Sequence, residues 1–499
     1  MHTHQIQRSR PNYSPVYVRH RSEKTLLYQI IDEYWPEFQA ELASHGKYLP
    51  AYVTNEFDEY LKCGRLEHGF LRIRCESCHD EKLVAFSCKR RGFCPSCGAR
   101  RMADGAALLV DEILPHQAMR QWVLSFPFPL RFLFASQPAV MGKVLGIVYR
   151  AIATHLRRKA GYTKATAQTG AVTLIQRFGS ALNLNIHFHM LFLDGAYVDR
   201  THGPGMRFRR TSAPTSDELS RLTHTIARRI ARYLERQGLL ERDVEGAWLT
   251  SSAGGEEDEA AIHHLLGSSI TYRIAVGPQQ GRKVFTLQTL PDCRSDFSKP
   301  QTGHSAGFSL HAGVAAQAHE RAKLERLCRY IARPAVSNQR LSLTRNGQIR
   351  YQLKTPYSDG TTQVIFEPLD FIARLVALVP RPRVNLTRFH GVFASNSKHR
   401  GLITPSKRGK GNAPAQTQKS PPLDRHMAMT WARRLKRVFD IDIETCSKCG
   451  GDVRIIASIE DPAVINKILA HLDAIAHPAE AGRLPPCRAP PSIGLIDAF

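Results

Sequence analysis

A chain of 499 residues, 42% of them apolar, has the composition of a globular protein and room for roughly two to four units of about 100–200 residues. Lysine and arginine number 69 against 44 aspartates and glutamates, a net charge of +25 that points to a polyanion, above all nucleic acid, and away from acidic-surface chemistry. No apolar signal core opens the chain and no run of about 18 apolar residues is evident, so the sequence predicts no membrane partner.

The first predicted element is an amphipathic helix over residues 22–42, inside an N-terminal helical segment read as 1–59. Residues 60–105 follow as a cysteine-rich, basic segment. The eleven cysteines of the chain cluster in CxxC pairs without a secretory signal, which argues for thiolate metal sites rather than disulfides. In CESCHDEKLVAFSCKRRGFCPSCGARR, fifteen residues separate the pair Cys75/Cys78 from the pair Cys94/Cys97. That is zinc-ribbon spacing; each CxxC can set two sulfurs ~2.3 Å from one ion, so these four predict one tetrahedral Zn²⁺ site. Cys63 and Cys88 are spare: Cys88 can replace one of the four, or either is a small buried apolar residue. Arg72, Arg74, Lys82, Lys89, Arg90, Arg91, Arg100 and Arg101 surround the cluster, and the last four arginines are the predicted DNA contacts of this segment.

From 106 to 395 apolar strands alternate with amphipathic helices, the pattern of an α+β domain. AVTLIQRFG (171–179) reads as a strand hairpin-paired with NLNIHFHMLF (183–192). In the second strand Asn183, Asn185, His187 and His189 share one face, while Leu184, Ile186, Phe188 and Met190 share the other. Two imidazoles about 6–7 Å apart along one face suit two ligands converging on one divalent ion. The flanking asparagines make that face a site or a solvent-facing surface rather than apolar core. Gln176 interrupts the first strand and can present a carboxamide oxygen beside the pair, provided the register is right. A helix over 215–238 is marked by the capping-box pair Thr215 and Glu218, by Leu219, Leu222, Ile226 and Ile230, and by Gly238 at its end. SSAGGEEDE (251–259) reads as an exposed loop. In the helix over 312–334, Leu324, Leu327, Cys328 and Ile331 form the buried stripe and Pro334 stops the helix. Tyr330 falls roughly 120° from that stripe, on the side of Lys323, Arg326 and Arg333, and is expected to be a partly exposed phenol on a cationic face. Residues 396–425 read as a basic disordered linker, and 426–499 as a last module with a helix near 426–439 and the pair Cys446/Cys449. His471, His477 and Cys487 are open candidates for completing a second zinc site there.

Together these segments resemble the single-strand, rolling-circle transposases of the HUH class, in particular the insertion-sequence common-region type. The resemblance is carried by FSCKRRGFCPSCGARRM (86–102), LSFPFPLRFLFA (124–135), QRFGSALNLNIHFHMLFLDG (176–195), GFSLHAG (307–313), LERLCRYIARP (324–334), LTRFHGVFA (386–394) and TCSKCGGDVRIIASIEDP (445–462), in the family's order. It implies an HUH endonuclease-like antiparallel sheet with flanking helices over 106–395, an N-terminal zinc ribbon that binds the element's end, and a small zinc-knuckle-like C-terminal module. It implies that His187 and His189 bind Mg²⁺ or Mn²⁺, with Gln176 as third ligand and His311 as runner-up. Tyr330 would be the nucleophile that attacks single-stranded DNA at transposon ends and target, leaving a 5′-phosphotyrosine and a free 3′-hydroxyl, with Arg326 and Arg333 as DNA contacts. The implied place is the bacterial cytoplasm, on the nucleoid. Some relatives carry two tyrosines four residues apart on this helix; here Arg326 stands four before Tyr330, the single-tyrosine subtype. A replication initiator or relaxase would use the same residues, and a non-catalytic zinc-dependent DNA-binding protein would account for the charge and the cysteines. No GxxxxGK[ST] motif is present, so no motor accompanies the chemistry.

Overall fold

A computed structural model describes residues 21–199, 205–243, 247–250, 257–290, 301–406 and 444–476. The expected helix at 426–439, His477, Cys487 and most of the expected loop and linker lie outside these residues. The described chain is mixed α+β with antiparallel sheets.

A six-stranded antiparallel sheet carries the architecture, in the order Thr302–Ser305, Phe308–Ala316, Met119–Ser125, Leu184–Leu193, Gly170–Phe178, Thr387–Gly391. The predicted hairpin forms with Gln176 opposite His187 and Leu174 opposite His189. On its other side, Leu184–Leu193 pairs with Met119–Ser125, which sets Val123 opposite His189 and Ser125 opposite His187.

Both faces of the central strands are covered. Ile186, Phe188, Met190 and Phe192 enter the main core with helices Phe128–Ser136, Pro138–Lys159 and Pro368–Leu378. Leu174, Leu191 and Leu193 enter a second core with Leu324, Cys328 and Ile331 of the helix Arg321–Ile331, which is shorter than the expected 312–334 because residues through Ala316 pair in the sheet. The polar stripe of the histidine strand is therefore roofed by a helix and not solvent-facing, because residues on the same parity as the histidines are themselves apolar beyond His189.

The helix Leu26–Ser44 is N-capped by the Thr25 side chain, and a second helix, Ala51–Lys62, packs on it through Trp35 stacked on Phe57 at 4.0 Å. Their apolar residues belong to the main core, so the N-terminal helices pack as part of the body around the sheet. The helix Ser216–Arg236 has the predicted capping box, and Gly238 follows it at φ 66°. Pro138–Lys159 is long and apolar enough to cross a membrane by length and composition, which the sequence reading did not expect. Met141, Val144, Val148, Ile152 and Leu156 of this helix lie in the main core, which accounts for that composition.

The hairpin Phe70–Cys75/Glu81–Ala85 gains a third strand from the far end of the chain: Val453–Ile459 pairs antiparallel with Phe70–Cys75, setting Arg454 opposite Arg74 and Val453 opposite Cys75. Val453–Ile459 of the C-terminal module thus completes the sheet of the N-terminal hairpin.

One buried ion pair clasps the main sheet. Arg120 Nε and Nη2 each donate to an Asp194 carboxylate oxygen at 2.9 Å, and Nη1 donates to the Ala312 carbonyl at 2.9 Å. Asp194→Ala strands a buried guanidinium and is expected to lower stability by about 3–5 kcal/mol in urea unfolding, with Asp194→Asn less damaging. A loss below about 1 kcal/mol for the alanine variant contradicts the role given to this pair.

Candidate active site

His187 and His189 leave the sheet where the second core ends. His187 Nδ1 lies 2.8 Å from the Asn185 carbonyl, which fixes the proton on Nδ1 and leaves the Nε2 lone pair free of it. The two Nε2 atoms are 3.1 Å apart. Two ligands about 2.1 Å from one ion at near a right angle lie about 3.0 Å apart, so the pair has the spacing of neighbouring ligands. Burial is the main cause that lowers His187 to about 4 and His189 to about 2, and the charge of Arg333 acts on both in the same direction. Both rings are neutral at neutral pH, the form that ligates metal.

Gln121, which sequence reasoning missed, holds the other side of His189: its side-chain nitrogen is 2.7 Å from His189 Nδ1. In this arrangement a proton-ordered chain runs from Gln121 through both rings to Asn185. Turning the amide over presents its oxygen to Nδ1–H and frees the second Nε2 lone pair as well. Gln121 is 4% exposed. Its only sequence signal is a polar residue inside the apolar run MRQWVLS, interpretable only once strand order is known.

Gln176 faces the same way as His187, its register partner, and donates from Nε2 to the Ile331 carbonyl at 3.2 Å. His311 lies opposite Val123, which itself lies opposite His189, so it shares the face but stands one strand further off. The tyrosine helix ends over this stripe. Tyr330 is 42% exposed, as the helical wheel predicts. Two cations lie over its ring, the Arg333 guanidinium and the Lys354 ammonium, each 4.4 Å from the ring centre. Lys354 comes from a distant segment and had no sequence signal. Of the other predicted cations, Lys323 pairs with Glu320 at 3.1 Å and Arg326 is exposed.

The cysteines sort differently from the single ribbon expected. Cys75, Cys78, Cys94 and Cys97 do not meet. Cys63, Cys88, Cys94 and Cys97 form one group, and Cys75, Cys78, Cys446 and Cys449 form another, with all ligand atoms in each within 4.8 Å of one another. Sulfur–sulfur distances are 3.8, 3.8 and 3.5 Å in the first and 3.4 and 3.6 Å in the second. Four sulfurs ~2.3 Å from a tetrahedral ion stand about 3.8 Å apart, so both groups fit zinc. Backbone N–H groups point at the sulfurs: Cys88 at Cys63 Sγ (3.3 Å), Lys448 at Cys446 Sγ (3.4 Å) and Gly451 at Cys449 Sγ (3.4 Å). The amide of Cys78 is the main cause that lowers the Cys75 thiol to about 6. Gly451 is needed at its place, because a Cβ there would stand 2.3 Å from Ser77 Oγ. Lys448 binds Asp80 at 2.5 Å and Lys82 binds Ser447 at 2.7 Å, which adds polar contacts between the two knuckles.

The arginines of the first group also hold structure. Arg91 donates to the Val384 and Arg381 carbonyls, Arg100 to Ser87, and Arg101 to the Lys89 and Arg90 carbonyls.

Two segments of the chain match known families. Residues 30–126 match the family model described as "Transposase zinc-binding domain", and residues 170–400 match the one described as "Putative transposase". The first span holds Cys63–Cys97 and the second holds Gln176, His187, His189 and Tyr330. Together with the two cysteine groups, these matches support a DNA-acting transposase that carries Zn²⁺. No curated protein and no solved structure matches the chain.

If the cysteines ligate as grouped, elemental analysis is expected to find two zinc ions per chain. Cys78→Ser/Cys449→Ser removes ligands of one ion and retains the other; Cys78→Ser/Cys94→Ser loses both. The reverse pattern is what a single ribbon of Cys75, Cys78, Cys94 and Cys97 would give.

Proposed function

We propose that the protein is a transposase of the rolling-circle type that nicks and transfers single-stranded DNA through a covalent 5′-phosphotyrosine on Tyr330. Supporting this reading above all is the hydrogen bond from Gln176, the register partner of His187, to the Ile331 carbonyl beside Tyr330. It ties the end of the tyrosine helix to the histidine stripe, which supports reading the phenol and the imidazole pair as parts of one site.

In the proposed reaction the Tyr330 oxygen bonds to the phosphorus of a phosphodiester as the bond to the 3′-oxygen breaks; the phenol gives its proton to solvent and the departing 3′-oxygen takes one from solvent to become a hydroxyl. An ordinary phenol with pKa near 10 is a weak nucleophile at neutral pH. Arg333 and Lys354, over its ring, would offset the charge of the approaching phosphate. The phosphotyrosine conserves the bond for rejoining, so strand transfer needs no nucleotide hydrolysis. The spacing of the two Nε2 atoms and their neutral rings fit a divalent ion, Mg²⁺ or Mn²⁺, held by His187 and His189. Gln176 is the proposed third ligand through its carboxamide oxygen, its nitrogen being engaged by Ile331. Such an ion, when bound, polarises the phosphate as a Lewis acid. Arg326 occupies the position one turn before Tyr330, so a single phenol serves each subunit.

Tyr330→Phe is expected to abolish the covalent adduct with labelled single-stranded end DNA and Mn²⁺, while binding stays within about threefold, since one hydroxyl is lost. His187→Ala is expected to lose cleavage and retain binding. Full adduct formation by Tyr330→Phe contradicts the proposal.

A further inference from the structure

A cavity of about 320 Å³ lies where the first cysteine group, the histidine hairpin, the end of the tyrosine helix and the edge strand Thr387–Gly391 meet. Arg90, Arg91, Arg101, Arg177 and Arg333 line it, and among the described residues no aspartate or glutamate does. Arg177 is buried, and its Nε and Nη2 donate to the Leu378 and Ala377 carbonyls at 3.4 and 3.3 Å. Arg91 likewise meets the carbonyls of Val384 and Arg381. The neighbouring carboxylate, Glu56, is buried behind the arginines with Oε1 accepting the Gly92 N–H at 2.6 Å. Five guanidiniums around a partly enclosed space, with one carboxylate behind them, leave a positive field that an anion would complete. The rest of the wall is apolar, from Leu174, Phe178, Pro334 and Phe389 among others. Cations set in an apolar, aromatic wall suit a nucleotide, with its phosphate on the arginines and its base against the rings.

We propose that this pocket holds one unpaired nucleotide of the DNA strand adjoining the scissile phosphate, its phosphate on Arg90 and Arg101 and its base on the wall that includes Phe178 and Phe389. The proposal rests on the single-strand transposase reading. Gln176 and Arg333 belong both to the pocket and to the histidine–tyrosine site, so a strand passes from one to the other without a gap. A space of this volume admits a nucleotide and excludes a duplex. The Cys63/Cys88/Cys94/Cys97 group then positions substrate, because Cys94 itself lines the pocket and the knuckle supplies Arg90 and Arg101.

Gly105 gives a direct test. It lines the pocket from the helix Pro95–Leu108, and a Cβ there would meet nothing within 4 Å. Gly105→Leu therefore adds bulk at the pocket wall without a clash and improves helix propensity. Binding of a fluorescein-labelled single-stranded oligonucleotide, followed by anisotropy without divalent ion, is expected to weaken by about tenfold or more, the worth of one stacked base. Zinc content and melting temperature stay those of the wild type. Arg90→Gln is expected to weaken binding similarly and to lower the salt slope by about one, and it serves where the leucine variant fails to fold. Wild-type binding by a folded Gly105→Leu, or by both variants, overturns the pocket. A wild-type protein that binds the strand but never forms the Tyr330 adduct overturns the transposase reading instead, and leaves the pocket standing.

Discussion

The register of the strand Leu184–Leu193 is the constraint on which the rest depends. Antiparallel pairing on both sides places His187 against Gln176 and Ser125, and His189 against Leu174 and Val123. Slipping it by one residue would drive both imidazoles into the main core and expose Ile186 and Phe188 to the tyrosine helix. The register holds because each face is committed: Phe188 meets Phe126 edge-on at 4.9 Å on one side, while Leu191 and Leu193 pack under the tyrosine helix on the other. The histidines are thus polar residues at the end of an apolar row, buried enough to be neutral and close enough to share an ion. Burying them is tolerable because Asn185 and Gln121 meet the outer nitrogens.

The two cysteine groups apply a second constraint, on the ends of the chain. Each CxxC of the N-terminal segment serves a different group: Cys94/Cys97 joins Cys63 and Cys88, and Cys75/Cys78 joins Cys446 and Cys449. The second group and the strand pairing of Phe70–Cys75 with Val453–Ile459 act at the same place, so the two ends of the chain are fastened together. Fixing contacts between segments so far apart is entropically costly, which is where a metal clasp contributes most. Arg91 carries the first group to the main body through the Val384 and Arg381 carbonyls.

What the sequence disclosed was local. The hairpin 171–179/183–192, the helix after Thr25, the capping box at Thr215 and Glu218, and the exposure of Tyr330 all follow from periodicities of two or 3.6 residues. The zinc pairing did not follow, because CxxC knuckles are chemically equivalent and the spacing between two of them cannot say which partners each takes. Cys63 and Cys88, lacking a CxxC companion, looked like spares for the same reason. Gln121 and Lys354 reach the site only through strand order and long-range packing, which no local pattern encodes. The roof over the histidine stripe is also non-local, since it is supplied by a helix more than a hundred residues further along the chain.

That one phenol and one imidazole pair form a single reaction centre is the central claim. Its most direct measurement is peptide mapping by mass spectrometry of the adduct formed when the protein meets single-stranded end DNA in Mn²⁺. The account predicts one modified peptide, with the DNA joined through its 5′-phosphate to Tyr330. An adduct on any other residue, or cleavage of the DNA with no covalent species at any time, would contradict it.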